Sequence, residues 1–195
     1  CPMPVPRLQR LLSDTGVGLC PRSGMPALSG RVAFLTGVDH RAAAKGKPEL
    51  LRSVGRPLPT AEIRLANDSG GICPTGEPGE ILVRAEQCMA GYWNDPAATA
   101  AAIVDGWLHT GDIGRFDQSG YLYIVDRKKD LILSGGENIA SREVEEPLRT
   151  HPAIADGAVI GLPDPRWGER VCAVLRMAGE ASDAELEGHC RGLLA

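Results

Sequence analysis

The chain has 195 residues, of which 43% are hydrophobic and 24% charged, and its formal net charge at pH 7 is −4. These values are typical of a globular protein, and the lack of a basic excess argues against binding to nucleic acid or to an anionic membrane. No apolar run approaches the roughly 20 residues of a transmembrane segment. None of the six cysteines forms a C-x-x-C pair of the kind that binds zinc. Free thiols are typical of a reducing compartment, so we expect a cytoplasmic protein.

The first quarter of the chain predicts few regular elements. Apolar residues at helical spacing over 5–16 predict one helix, which ends at Gly16. Residues 23–51 are rich in turns and show no clear hydrophobic period. This part of the chain therefore gives little indication of its own fold.

The middle of the chain predicts mainly β-structure. Three segments alternate apolar with polar residues in the manner of half-buried strands, namely 61–67, 79–85 and 120–126. One helix over 94–104 interrupts them, with Asn94 or Asp95 as its cap and Pro96 in its first turn.

The last third predicts a β-α-β-β-α order, which suggests a small α+β unit. A strand near 130–133 precedes a helix over 141–151, for which Ser141 is the predicted cap and which Pro147 is expected to bend or shorten. Two strands follow, and the final helix, 182–194, begins with a capping box formed by Ser182 and Glu185. The two strands are 154–163 and 170–177.

Two short motifs could carry chemistry. In "HTGD", Asp112 follows a glycine that allows a sharp turn, and its carboxylate could accept two hydrogen bonds from a vicinal diol such as ribose. Arg127, in the "DR" that follows, could add donors beside it. In "SGGEN", the paired Gly135 and Gly136 would allow a ligand to approach the backbone closely. On composition alone, a structural turn and a plain hairpin remain the commoner explanations of the two motifs.

Longer stretches of the sequence resemble one family. The segments "SVGRPLP", "GEPGEILVRA", "MAGYWNDPAATA", "DGWLHTGDIGRFDQSGYLYIVDRKKDLILSGGENIASREVE" and "HPAIADGAVIGLPDPRWGERVCAVL" occur in this order. They resemble acyl-CoA synthetases, the fatty or aryl acid:CoA ligases of the adenylate-forming, AMP-binding superfamily. The resemblance covers the whole chain and is most specific over 53–177. It implies that ATP and a carboxylic acid form an acyl-adenylate, which then yields a thioester with CoA.

The resemblance also implies roles for single residues. Asp112 would bind the ribose hydroxyls of ATP or AMP, and Arg127 would assist it. Lys129 would be the hinge about which a small C-terminal domain rotates between the two half-reactions. Gly135 and Gly136 would lie along the tunnel for the CoA pantetheine.

An α+β fold in three parts is expected from the same resemblance. Residues 1–53 would be the tail of the α/β subdomain of a large domain. Residues 54–126 would form a β-rich, barrel-like subdomain, and residues 127–195 would belong to the mobile C-terminal α+β domain.

The chain departs from the family pattern at functional positions. Its 195 residues contain neither the Ser/Thr/Gly-rich phosphate loop nor the catalytic lysine of the Gly-Lys motif. The stretch "SGMPA", residues 23–27, stands where the family has an aromatic residue, a Thr and a Mg²⁺-binding Glu. Ala27 occupies the position of that Glu, so no carboxylate is present there for Mg²⁺.

Three interpretations follow from these departures. We expect that the polypeptide does not catalyse adenylation alone and that an N-terminal half would be its partner. The alternative is a degenerate, non-catalytic module that binds AMP, an acyl-adenylate or CoA. An unrelated β-rich binding protein is the least favoured interpretation.

Overall fold

The computed structural model describes residues 10, 14 and 22–194. Both parts of this structure combine helices with antiparallel sheets, which confirms the α+β class. The structure separates into two compact units, and the chain passes from one to the other between Ile124 and Val125. The predicted division into 1–53, 54–126 and 127–195 is finer than these units and stays a prediction. The predicted helix over 5–16 lies outside the described residues except for Arg10 and Asp14.

The first unit begins with a small sheet and short helical segments. Its three strands, in the order β1-β2-β3, are β1 (Arg22–Ser23), β2 (Ala33–Phe34) and β3 (Arg56–Pro57). Helix α1 (Gly37–Ala44) starts with a capping box formed by Thr36 and Asp39, and 3-10 turns occupy Pro26–Leu28 and Pro48–Arg52. The sequence did not predict α1, because alanine supplies most of its apolar residues and they give no clear period.

A larger, curled sheet of the first unit has the shape of half a barrel. Its strands run in the order β4-β5-β7-β6, and β8 pairs with β7. They are β4 (Ala61–Ala66), β5 (Gly79–Ala85), β6 (Ile103–Val104), β7 (Trp107–Phe116) and β8 (Leu122–Arg127). Helix α2 (Pro96–Ala102) starts after the predicted cap Asp95, whose side chain accepts a hydrogen bond from the Ala98 amide. It ends before Val104, because residues 103–104 pair with β7 instead of continuing the helix.

The second unit contains an antiparallel sheet in the order β10-β9-β12-β11. In chain order its elements are a 3-10 turn (Lys128–Asp130), β9 (Ile132–Ser134), β10 (Glu137–Ile139), α3 (Ser141–Thr150), β11 (Ile154–Asp164), β12 (Gly168–Met177) and α4 (Asp183–Arg191). Its small aliphatic core comprises Ile132, Leu148, Ile154, Val159 and Leu186. The capping box predicted for Ser182 and Glu185 is present. Among the described residues, no helix is long and apolar enough to cross a membrane.

One prediction about α3, its cap, was wrong; of the other, the shortening at Pro147 was wrong and the bend stays a prediction. Ser141 is not the cap: Ala140 occupies that position, and the Ser141 hydroxyl donates a hydrogen bond to Asp126 from within the helix. Pro147 does not shorten the helix, which continues to Thr150. The side chain of Pro147 is buried, and its carbonyl accepts a 2.7 Å hydrogen bond from the Thr150 hydroxyl. This burial offsets the loss of one helical hydrogen bond.

Candidate functional site

Asp112 lies in a bulge of strand β7. The β5–β7 register places His109 opposite Leu82 and Ile113 opposite Glu80. Four steps along β7 therefore match two steps along β5, so β7 has two extra residues between these pairs. Bulges bend a strand and redirect its side chains, and they are frequent beside active sites.

Residues around Gly111 explain how the bulge is held. Gly111 has φ +70°, and a Cβ there would meet nothing within 4 Å, so the backbone angle and not crowding favours glycine. The Thr110 hydroxyl donates to the Ile81 carbonyl at 2.7 Å and accepts from the Asp112 amide at 3.2 Å. The Gly111 amide donates to a Glu80 carboxylate oxygen at 3.3 Å. These side-chain bonds satisfy backbone groups that the bulge removes from the regular ladder.

Glu80 also connects the bulge to a neighbouring histidine. The side chain of Glu80 is 12% exposed, and its second oxygen lies 3.5 Å from His109 Nδ1. Sequence reasoning missed both Glu80 and Thr110 as parts of this site. Their contacts join residues 29 and 31 positions apart, and no local pattern reveals such pairs.

A small pocket brings Asp112 together with part of the SGMPA stretch at residues 23–27. Asp112, Gly24 and Met25 line a space of about 20 Å³, which has room for about one water molecule. The other lining residues are Leu28, Val32, Ile81, Val83, Thr110 and Leu122. Asp112 and Thr110 supply polar side chains to this space, and the other lining residues are apolar or glycine.

Ala27 offers no ligand for a metal ion. It lies in the 3-10 turn Pro26–Leu28, its side chain packs against the core, and its carbonyl accepts the Met89 amide at 2.7 Å. In the part of the chain that the structure describes, no three His, Cys, Asp or Glu side chains are grouped to bind a metal. These residues do not fit Mg²⁺ at this position.

Arg127 is exposed at the end of β8, next to the buried Asp126. The Arg127 amide donates to one Asp126 carboxylate oxygen at 2.8 Å. The other oxygen accepts from the Ser141 hydroxyl at 2.9 Å and from the Arg142 amide at 3.3 Å. Asp126 therefore caps α3 from outside the helix. One feature of the sequence indicates that the cap comes from elsewhere in the chain. Alanine, here Ala140 at the cap position, has no side chain that can accept a hydrogen bond from the first turn.

Asp112 belongs to the first unit, whereas Arg127 and Lys129 belong to the second. The pairing of Asp112 with Arg127 at a ribose therefore stays a prediction. Lys129 is exposed in the middle of the 3-10 turn Lys128–Asp130, and its role as a hinge also stays a prediction.

Gly135 and Gly136 form the two-residue turn between β9 and β10, with Ser134 paired to Glu137. Both have positive φ, +62° and +90°, as a type I′ turn requires. The Gly135 amide donates to the Trp167 carbonyl at 2.8 Å, and a Cβ on Gly135 would lie 2.9 Å from the Trp167 ring. The turn is thus a tight hairpin that packs on a half-exposed tryptophan, and its role in binding CoA stays a prediction.

Comparison with protein families gives two matches. The family model of AMP-binding enzymes matches residues 31–93, and the model of the AMP-binding enzyme C-terminal domain matches residues 143–195. One curated relative is 2-succinylbenzoate–CoA ligase of Bacillus cereus, 37% identical over 194 residues. Another is feruloyl-CoA synthase of Amycolatopsis sp, 43% identical over 172 residues. The alignments cover 100% and 81% of this chain, but only 38% and 35% of the relatives.

Solved structures show the same similarity. The o-succinylbenzoate CoA synthetase of Bacillus subtilis, in complex with an acyl-adenylate intermediate, has a TM-score of 0.87 and 36% identity. The similarity covers 100% of this chain and 38% of that one. The same enzyme has been solved with AMP and with ATP and a magnesium ion. An amide bond synthetase of Marinactinospora thermotolerans has a TM-score of 0.83 and 39% identity, over 98% of this chain and 38% of that one.

Proposed function

Since the chain belongs to the acid:CoA ligase family of adenylate-forming, AMP-binding enzymes, we propose that it carries the ribose-binding carboxylate and the CoA-facing hairpin of such a ligase. The reaction joins a carboxylic acid to the α-phosphate of ATP with release of pyrophosphate. The CoA thiol then attacks the acyl carbon, and AMP leaves. The names of the relatives, succinylbenzoate and feruloyl ligases, favour an aryl acid over a fatty acid as the substrate class.

The observation that carries this proposal is the position of Asp112. The bulge holds Asp112 where it lines, together with Gly24 and Met25, a small space of the first unit. A carboxylate accepts two hydrogen bonds from adjacent hydroxyls, and bonds to a charged acceptor are stronger than neutral ones. We propose that Arg127 is an additional hydrogen-bond donor to the ribose. Lys129 is the proposed hinge of the C-terminal domain. Gly135 and Gly136 are proposed to lie beside the pantetheine of CoA.

Calorimetric titration of AMP tests this role of Asp112. We expect the wild-type chain to bind AMP and Asp112→Asn to bind it at least about tenfold more weakly, since a bond to a charged group contributes about 1.5–3 kcal/mol. Asp105→Asn is the matched control, because Asp105 is exposed in the turn between β6 and β7 and is not among the residues that line the pocket. Equal affinities for the wild-type chain and Asp112→Asn would show that Asp112 does not contact the nucleotide.

We further propose that this 195-residue polypeptide does not form an adenylate unaided. Its 195 residues do not include the phosphate-loop or Gly-Lys motifs, and by the family resemblance Ala27 stands at the position of the metal-binding carboxylate. Removing one preorganised charge donor typically lowers a rate about 10²–10³-fold. In an ATP–pyrophosphate exchange assay with benzoic and cinnamic acids, the wild-type chain should match Asp112→Asn. Exchange that requires Asp112 would show that the polypeptide is catalytic alone.

Amide formation is a second candidate for the final step. The similarity to an amide bond synthetase, at 39% identity, favours it. In that case an amine and not the CoA thiol would accept the acyl group. A titration of CoA distinguishes the two, because only a ligase requires a CoA site near Gly135 and Gly136.

A further inference from the structure

Gly111 allows the bulge in β7 but does not fix it. Its φ is +70°, and glycine adopts positive and negative φ about equally readily. If the bulge shifted by one residue along β7, the side chains within it would turn to the other face of the sheet. The direction of the Asp112 side chain therefore depends on contacts that select one backbone conformation at Gly111.

Glu80 makes such a contact from the neighbouring strand β5. One of its carboxylate oxygens accepts a hydrogen bond from the Gly111 amide at 3.3 Å, and the other lies 3.5 Å from His109 Nδ1. His109 is the last residue of β7 in register with β5 before the bulge, and Gly111 lies inside the bulge. A single carboxylate thus connects the start of the bulge to the glycine within it.

The backbone of Glu80 is held on both sides. Strand β5 lies between β4 and β7, and Glu80 is in register with Ala66 of β4 and with Ile113 of β7. Its side chain is also largely buried, which restricts the conformations open to it. A group on a rigid, packed element can hold a functional side chain within about 0.5 Å of its working position.

Thr110 supports the residue that follows Gly111. Its hydroxyl donates to the Ile81 carbonyl at 2.7 Å and accepts from the Asp112 amide at 3.2 Å. The Ile81 carbonyl is a backbone group, which any residue at that position would supply. The acceptor for the Gly111 amide is a side chain, so the identity of residue 80 determines whether this contact exists.

We infer that Glu80 is a positioning residue of the nucleotide site. Its carboxylate selects the bulge conformation in which Asp112 meets the ribose diol, and it acts through Gly111 and not on the nucleotide. This inference rests on the proposed role of Asp112. Small displacements of a binding group are costly, so removal of the Glu80 acceptor weakens recognition of the diol.

Titration of AMP and of 2′,3′-dideoxy-AMP into Glu80 variants tests the inference. We expect the wild-type chain to bind AMP about tenfold more tightly than the dideoxy compound. Glu80→Ala should reduce this ratio to about twofold. Glu80→Gln should keep it near tenfold, because its amide oxygen can still accept the Gly111 amide. Glu62→Ala is the matched control, since Glu62 is also a paired carboxylate of this sheet but its partner is Arg84.

A double variant separates positioning from a general loss of stability. If Glu80 acts through Asp112, adding Glu80→Ala to Asp112→Ala should not change the ratio of the two affinities further. Near-ultraviolet circular dichroism checks that each variant is folded. If Glu80→Ala is not folded, Glu80→Met keeps a similar side-chain volume without a strong acceptor and should lower the ratio equally.

Hydrogen exchange tests the same contact without a nucleotide. In the ¹⁵N-labelled chain, the Gly111 amide should exchange about tenfold faster in Glu80→Ala than in the wild-type chain, because it loses its acceptor. Glu62→Ala should leave this rate unchanged.

The possible failures differ from one another. A full diol preference in Glu80→Ala, together with its loss in Asp112→Ala, would overturn the inference and leave the proposed role of Asp112 intact. Unchanged exchange of the Gly111 amide in Glu80→Ala would also overturn the inference alone. A wild-type chain that does not distinguish the two nucleotides would contradict the proposed role of Asp112, and with it this inference.

Discussion

At the scale of single residues, Gly135 is restricted by its neighbour as well as by its backbone. A Cβ would lie 2.9 Å from the Trp167 ring at Gly135 but would meet nothing within 4 Å at Gly136, in the same turn. We therefore expect Gly135→Ala to lower the free energy of unfolding by about 1–3 kcal/mol more than Gly136→Ala. Urea denaturation of both variants, with and without Trp167→Ala, measures this excess. An excess that persists without the Trp167 ring would contradict the crowding explanation.

His40 is a buried residue with a pH-dependent consequence. It is 4% exposed, and neither ring nitrogen has a hydrogen-bond partner in the described structure. Burial lowers the pKa of His40, while the neighbouring Asp39 carboxylate opposes the shift. The unfolded state therefore binds a proton more readily, so stability is full above the unfolded pKa near 6.5 and falls as the pH drops below it.

We expect the free energy of unfolding of the wild-type chain to be lower at pH 5.5 than at pH 7.5. In His40→Leu this difference between the two pH values should be smaller. The Asp39 carboxylate does not interfere with this comparison. Burial alone would raise the pKa of Asp39, but hydrogen bonds from Tyr121 and Thr36 lower it below 3.8, outside the measured range. Urea denaturation of both proteins at the two pH values makes the test. Identical pH dependence in His40→Leu would refute this role of the imidazole.

At the scale of elements, Asp126 determines how helix α3 begins. Replacement by alanine would leave the Ser141 hydroxyl and the Arg142 amide without their acceptor. We expect Asp126→Ala to lower the free energy of unfolding by about 2–3 kcal/mol, and Ser141→Ala by about 1 kcal/mol. Asp130→Ala, in the exposed 3-10 turn, is the control. If Asp126→Ala and Asp130→Ala unfold at the same temperature in thermal denaturation, the cap is dispensable.

The elements also show which features the sequence can predict. Strand β4 was predicted because its apolar residues alternate with charged ones, and α4 was predicted because its capping box is local. Strand β7 was not, because Gly111 and the two-residue bulge interrupt its alternation. Contacts such as Asp126 to Ser141, or Thr110 to Ile81, depend on chain topology and have no local signature.

At the scale of the whole molecule, the candidate site was chosen from family motifs and not from hydrophobic periodicity. Asp112 was chosen for its position after a glycine, and the structure adds the bulge and the pocket shared with Gly24 and Met25. Glu80 was missed because its role depends on the pairing of β5 with β7, which lie far apart in the sequence. The chain spans about 38% of the length of its relatives, so its activity, acid substrate and partners are proposals.

The most direct test of the account compares two nucleotides on two proteins by calorimetry. AMP and 2′,3′-dideoxy-AMP would each be titrated into the wild-type chain and into Asp112→Ala. We predict that removing the diol weakens binding about tenfold or more in the wild-type chain and has little effect in the variant. An equal loss in both proteins would show that Asp112 does not recognise the ribose hydroxyls, and the central claim would be wrong.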